Sequence, residues 1–153
     1  LNPKNERINF ECFFKGGMVQ LVLNNSWNIS NIKPLSGLPI NHIEIQDTSI
    51  EDIRILQTLP LEIANLSYAP VKEIGSLSNM NIKNLNIRGT RVNQLNTLNS
   101  MKNLKKVEVN EDTSTILETL ISLSHKDNVL INSDQISKLR HLYRRKILQM
   151  KQK

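Results

Sequence analysis

Apolar residues recur along this chain at two alternating spacings, one of two residues and one of three. In the segment LNIRGTRVNQLNTLNSM, residues 85–101, Leu85 and Ile87 are two residues apart, as on one face of a β-strand. Apolar residues at intervals of three then follow, namely Val92, Leu95, Leu98 and Met101. That interval is too short for an ideal α-helix and too long for a strand, and it is typical of 3₁₀ turns. The segment therefore predicts a short strand followed by a loosely helical return.

The same succession of two spacings recurs with a period of 21 residues. The unit is represented by Ile40, Ile43, Ile45, Thr48, Ile50, Ile53, Leu56 and Leu59. Matching residues lie one and two periods further along, and the pattern extends backwards to Met18. It continues, with one inserted residue, to Leu104, Val107 and Val109. Such a repeat predicts one supersecondary unit per period.

A single unit of this kind cannot bury both of its apolar rows. The units must therefore stack strand beside strand, which gives a parallel sheet with buried side chains from both sides of each unit. We predict an α/β solenoid with about five short parallel strands, an N-terminal β cap and a C-terminal helical cap. The predicted boundaries are 1–17 for the first cap, 18–112 for the repeats and 113–153 for the second cap.

The two caps have their own sequence signals. Residues 8–14, INFECFF, alternate in part and precede Lys15-Gly16-Gly17, so we expect a strand paired with Leu21–Leu23 and a buried Cys12. Thr115-x-x-Glu118 has capping-box spacing and predicts a helix over 115–125. A short strand over 128–132 and a basic helix over 134–151 complete the prediction.

The repeat pattern LxxLxLxxTxVxxLxxLxxM resembles a leucine-rich repeat of the short bacterial type. The segments PINHIEIQDTSIEDIRILQTL and NIKNLNIRGTRVNQLNTLNSM are most similar to repeat regions attached to bacterial serine/threonine protein kinases and kinase-like proteins. The resemblance covers about residues 18–112 and implies a docking or sensing role in a larger signalling protein. In that family a polar turn residue bonds to loop backbone, and Ala69 replaces it in one unit, so that unit is expected to lack one such bond.

Composition limits the class of protein. The chain of 153 residues is long enough for one domain, and 4% aromatic residues imply an aliphatic core. A single cysteine favours a reducing compartment, so a cytoplasmic location is favoured while an extracytoplasmic one stays open. No apolar run is long enough to span a bilayer, and the first residues carry no signal-peptide pattern. The start at Leu1 favours a fragment of a longer protein.

The net charge of +6 is concentrated at the C-terminal end. Residues 134–153 hold seven basic residues against Asp134 alone, and the rest of the chain is neutral. A neutral body argues against a surface built for a polyanion. The alternative function is nucleic-acid or anionic-membrane binding through the helix over 134–153, with Arg140, Arg144, Arg145 and Lys146 as the contacts. The simpler interpretation, which we favour, packs this helix on the last unit with its basic side in solvent.

Residues that could carry out chemistry are scattered. His42, His125 and His141 lie in different predicted elements, and the sequence has no HExxH, CxxC, GxGxxG, Walker or GxSxG motif. We therefore expect no enzymatic activity, no metal and no cofactor.

The stronger candidate for function is the outer side of the predicted sheet. Alternate strand residues point outward and would meet a protein or peptide partner. The candidate contacts are His42, Glu44, Gln46, Ile63, Asn65, Tyr68, Asn84, Asn86, Arg88 and Glu108. Among them His42, Ile63, Tyr68 and Arg88 come first, because aromatic and arginine side chains dominate interfaces. The competing interpretations are an ordinary surface of an Asn-rich chain and a spacer without a ligand; the partner and the oligomeric state stay open.

Overall fold

The structure is a computed structural model that describes residues 10–110, 112, 115, 118, 119, 122, 123, 126 and 129–131. Within these residues, seven strands form one sheet in the order of the sequence. The strands are β1 Glu11–Lys15, β2 Met18–Val22, β3 Ile40–Glu44, β4 Ile63–Asn65, β5 Asn84–Asn86, β6 Lys106–Glu108 and β7 Leu130–Ile131. β1 pairs with β2 antiparallel, and every later pair is parallel.

The register of the parallel strands follows the sequence period. Ile43 pairs with Ala64, Ala64 with Leu85, and Leu85 with Val107. All four side chains are buried, with exposures of 0 to 2%. The predicted parallel pairing of equivalent positions is confirmed, and the predicted short strand near residue 130 is present as β7 on β6.

The return segments are short helical turns. They are 3₁₀ helices at Lys33–Leu35, Arg54–Thr58 and Gly75–Leu77, followed by a single α-helical turn, α1, at Thr97–Ser100. Leu56, Leu77 and Leu98 from three of these turns are fully buried. The expected 3₁₀ geometry is confirmed in three units. The fourth, with α1, is the unit that carries one extra residue before Leu104.

Both apolar rows meet in one aliphatic core. Beside them the Thr48 hydroxyl donates to the Ile45 carbonyl at 2.8 Å, and the Thr90 hydroxyl donates to the Ile87 carbonyl at 2.7 Å. Ala69, at the equivalent position, has only its backbone N–H to donate, to the Leu66 carbonyl at 3.1 Å. The unit with Ala69 therefore lacks the side-chain bond, as its sequence predicts.

The N-terminal strand β1 pairs with β2 as predicted, but its side chains are less buried than expected. Cys12 lies opposite Leu21, yet Cys12 is exposed, so the prediction that it is buried is wrong. The physical reason is that residues 10–18 all stay exposed, so the core side of β1 is not covered like that of the inner strands. Met18 is also misplaced: it is 40% exposed, and Val19 takes the inward position. A register irregularity between Val19 and Gln20 causes that shift.

The C-terminal cap is described at a few residues. Thr115, Glu118, Thr119 and Ser122 are helical, and Thr119 is buried. Thr115 is not the cap that its spacing predicts: it lies in the helix, and its N–H donates to Asp112 Oδ1 at 2.8 Å. An aspartate oxygen at that place performs the capping instead.

Parts of the predictions fall outside the described residues. The helix over 134–151 does so, together with Arg140, Arg144, Arg145 and Lys146. The domain boundaries stay predictions. Among the residues that the structure describes, none belongs to a helix with the length and apolarity needed to cross a membrane.

Candidate functional site on the outer sheet face

The sheet arranges the predicted contacts in rows. We call the strand side chains that point away from the core the outer face. Pairing aligns one row as His42, Ile63, Asn84 and Lys106, and the next row as Glu44, Asn65, Asn86 and Glu108. Neighbouring members of a row are separated by roughly 4.8 Å, the usual distance between strands. Seven of the ten predicted contacts therefore lie on one ordered surface, and Gln46, Tyr68 and Arg88 lie just beyond its strands.

Glu44 is the centre of a hydrogen-bonded cluster on this face. Its Oε1 accepts from Gln20 Nε2 at 3.0 Å and lies 3.1 Å from His42 Nε2. Its Oε2 accepts from Asn24 Nδ2 at 2.9 Å. A carboxylate that already has two amide donors and an adjacent imidazole fixes their positions more than it attracts a new ligand. The cluster therefore orders the His42 ring beside the row.

Asn65 and Asn86 serve the turns that follow their strands. Asn65 Oδ1 accepts from the Ser67 N–H at 3.2 Å and from the Ser67 hydroxyl at 2.7 Å, while its Nδ2 donates to Gln46 Oε1 at 3.1 Å. Asn86 Oδ1 accepts from the Arg88 N–H at 3.0 Å. These are Asx turns, in which the side chain replaces a backbone partner. Both residues lie where predicted, but their amides are committed to the fold.

The turn positions themselves contain an unusual residue. Asn25, Asp47, Tyr68 and Gly89 occupy equivalent places, and all four have positive φ, between 53° and 72°. Asn, Asp and Gly tolerate this left-handed conformation, whereas a bulky residue adopts it at a cost. Tyr68 has φ 58° and is 51% exposed. A strained aromatic residue on the surface is a reason to look for a function there.

The Tyr68 ring packs over Gly89. A Cβ on Gly89 would overlap three atoms of that ring, so only glycine fits beneath it. The Tyr68 N–H also donates to the Arg88 carbonyl at 2.8 Å. Tyr68 and the exposed Arg88 are thereby held side by side at the end of the outer face.

Sequence reasoning overlooked two features of this region. Gly89 was not among the predicted contact residues. The presence of Asn25, Asp47 and Gly89 at one position of the repeat is nevertheless a recognisable sequence signal for a left-handed turn. The ion pair of Lys83 Nζ with Glu62 Oε2 at 2.7 Å, just before β4 and β5, was also overlooked. Its partners are one period apart in sequence, which is the available signal. Ser67 is buried and cannot contact a ligand.

The return side of the molecule has an open groove of about 630 Å³. Its lining includes Asp52, Arg54 and Thr58. Arg54 donates to both oxygens of Asp52 at 2.9 and 2.6 Å, and this bonding holds the pKa of the Asp52 carboxyl well below its usual range. Asp52 and Arg54 neutralise each other, which leaves the exposed Lys33 as the unbalanced charge of the lining. A single exposed charge makes the groove a weaker candidate than the outer face.

The described part of the chain contains no cluster of His, Cys, Asp and Glu suited to a metal ion. No protein-family model matches this sequence, and no curated protein matches it.

Proposed function

We propose that this chain is a leucine-rich-repeat solenoid that acts as a non-catalytic interaction module, binding a protein or peptide partner on its outer face. The observation that carries the proposal is the exposed Tyr68, held in a left-handed conformation against Gly89 and beside Arg88. Tyrosine and arginine are the residue types that most often anchor an interface.

Three features support the solenoid and the repeat class. The period of 21 residues in the sequence matches the offset between paired strand positions. Each unit joins a short strand to a helical return, and both contribute buried aliphatic side chains. The repeat pattern resembles the short bacterial leucine-rich repeat. The link to a larger bacterial signalling protein depends on that resemblance, and the favoured cytoplasmic location depends on the single cysteine.

Pre-ordering is the proposed mechanism of binding. The Glu44 cluster fixes His42, and the Asx turns of Asn65 and Asn86 fix the loops that carry Ser67 and Arg88. Side chains that are ordered before binding lose less conformational entropy when a partner arrives. A rigid face with Tyr68 and Arg88 at its end therefore favours a partner with a complementary acidic or aromatic loop.

The test combines two substitutions on the outer face. His42→Ala with Arg88→Ala should weaken binding of a captured partner at least about tenfold, in the range of interface hot spots, and leave thermal stability nearly unchanged. Stability should hold because Glu44 keeps Gln20 and Asn24 as donors, and because Arg88→Ala leaves the backbone bonds of residue 88 with Asn86 and Tyr68 in place.

The matched control places two substitutions on the return side, Arg54→Ala with Gln57→Ala. Both residues are exposed, and removing the exposed Arg54–Asp52 pair should change stability little. Equal loss of binding in both double variants, or loss of binding together with loss of stability in the first, would contradict the proposal.

The second candidate is supported by the concentration of the whole net charge of +6 in residues 134–153. In this case DNA, RNA or anionic vesicles would bind with a strong dependence on salt. A salt titration with the full chain and with a chain ending at residue 133 separates the two functions. Salt-sensitive binding that disappears on truncation would favour the second candidate.

A further inference from the structure

β1 is the terminal strand of the described sheet, and its second edge is free of pairing within residues 10–131 as far as these are described. All five of its residues, Glu11–Lys15, are exposed. Phe13 and Phe14 are 47% and 80% exposed. An edge strand with exposed aromatic side chains is a template for another strand.

The side chains of β1 divide between the two faces of the sheet. Cys12 and Phe14 lie opposite Leu21 and Val19, which are buried, so this pair is on the core side. Glu11, Phe13 and Lys15 alternate with them and lie on the outer side. The outer row therefore has an acidic end and a basic end, placed symmetrically about Phe13.

We propose that β1 pairs with β1 of a second copy of this chain, antiparallel, with the two-fold axis at Phe13. In this register Glu11 lies opposite the partner's Lys15, and Lys15 lies opposite the partner's Glu11. Phe13 lies opposite the partner's Phe13. A parallel arrangement would place like charges against each other at both ends, which destabilises a strand pair. The charge pattern therefore selects a second copy, in one orientation, as the occupant of the edge.

The core side of the same contact is apolar. There Cys12 lies opposite the partner's Phe14, and the exposed Phe14 ring lies against the partner's Cys12. A two-fold contact repeats each of these pairs. Because only five residues of each copy form the pairing, the association should be weak and reversible, at the lower end of interface sizes.

Charge reversal tests the register. Analytical ultracentrifugation of the full chain over a concentration series should show a monomer–dimer equilibrium. Glu11→Lys places lysine opposite lysine at both ends and should raise the dimer Kd about tenfold, as should Lys15→Glu. The double variant E11K/K15E restores opposite charges and should return the Kd to within about threefold of the wild type. Glu73→Lys, an exposed charge reversal on a return segment, is the control and should leave the Kd unchanged.

Cysteine cross-linking tests the axis. Phe13→Cys in a Cys12→Ser background places two thiols opposite each other at a separation suited to a disulfide, so mild oxidation should yield a covalent dimer. Trp27→Cys in the same background is the control, because Trp27 is 64% exposed but lies outside β1. A chain that stays monomeric at submillimolar concentration overturns the proposal. So does a dimer that is insensitive to E11K, or one whose Kd is not restored in the double variant. Circular dichroism of each variant confirms that it is folded.

Discussion

At the scale of single residues, the four equivalent turn positions show how one backbone requirement is met by different side chains. Asn25, Asp47 and Gly89 are suited to positive φ, while Tyr68 adopts it with a ring that rests on Gly89. The ring contact compensates part of the local strain. Tyr68 therefore combines an unfavourable conformation with exposure, a combination that stability alone does not favour.

Replacing Tyr68 separates its two roles. Tyr68→Asn introduces the residue type that the first unit has at this position, so backbone strain falls while the aromatic surface is lost. We expect the free energy of unfolding to change by less than about 1 kcal/mol, and the affinity for the partner to fall at least about tenfold. Tyr68→Phe, which keeps the ring, is the control and should retain most binding. Unchanged binding by Y68N would show that the ring is not an anchor.

Gly89 should tolerate no side chain while Tyr68 is present. Gly89→Ala places a Cβ in the ring and in a left-handed conformation, and should cost about 1–3 kcal/mol in the free energy of unfolding. In a Y68N background the overlap with the ring disappears and only the conformational cost is left. Denaturant unfolding of the two single variants and the double variant gives the coupling energy. Simple additivity would mean that the ring and Gly89 do not interact.

At the scale of elements, each unit is a strand, a polar turn and a helical return, and the turn hydroxyl ties these parts together. Thr48 and Thr90 make the hydroxyl bond to the strand carbonyl, and Ala69 does not. All three side chains are buried, with exposures of 8% or less. The unit around Ala69 is therefore the weakest of the three at this point.

Restoring the hydroxyl should strengthen that unit. Ala69→Thr can repeat the bond of Thr48 and should raise the free energy of unfolding by about 1 kcal/mol, the usual net value of such a bond. Ala69→Val has nearly the same shape without the hydroxyl and should give no gain. Thermal unfolding of both variants measures the difference. An equal effect of Thr and Val would assign it to packing alone.

The sequence predicts a position correctly where strand geometry alone decides it, and less well where a bulge or the cover of an edge decides it. The inward-facing rows were predicted correctly from Leu85, Ile87 and their equivalents, because the alternation of side chains along a strand is fixed by geometry. Met18 and Cys12 were misassigned, because a bulge between Val19 and Gln20 shifts the register and burial at an edge depends on what covers it. The outer rows were predicted for the same geometric reason as the inner ones. That Asn65 bonds a turn rather than facing solvent could not be read from its residue type.

At the scale of the whole molecule, the sheet and the return segments share one aliphatic core. A disruptive substitution at one inward position should therefore destabilise both. Leu85→Asp places an unpaired carboxylate at a site that is 2% exposed. The cost of burying it, several kcal/mol, is comparable with the whole stability of a small domain, about 5–15 kcal/mol.

We therefore expect L85D to lose its cooperative unfolding transition in circular dichroism. Asn84→Asp adds the same charge one residue earlier, on the outer face beside Lys106. It is the control and should stay folded. A folded L85D chain would mean that the core does not pass through Leu85.

Within the described sheet, the antiparallel pair of β1 and β2 also determines where the chain could lengthen. Every strand from β2 onward presents the same polarity to its neighbour, so a duplicated stretch of 21 codons could enter anywhere in that run and still find its hydrogen-bonding partners. A copy inserted directly ahead of β2 would also fit, because its strand would take over the antiparallel pairing with β1 and would itself pair parallel with β2. Lengthening by gene duplication is therefore open throughout the run, and β1 would keep its place as the antiparallel edge strand.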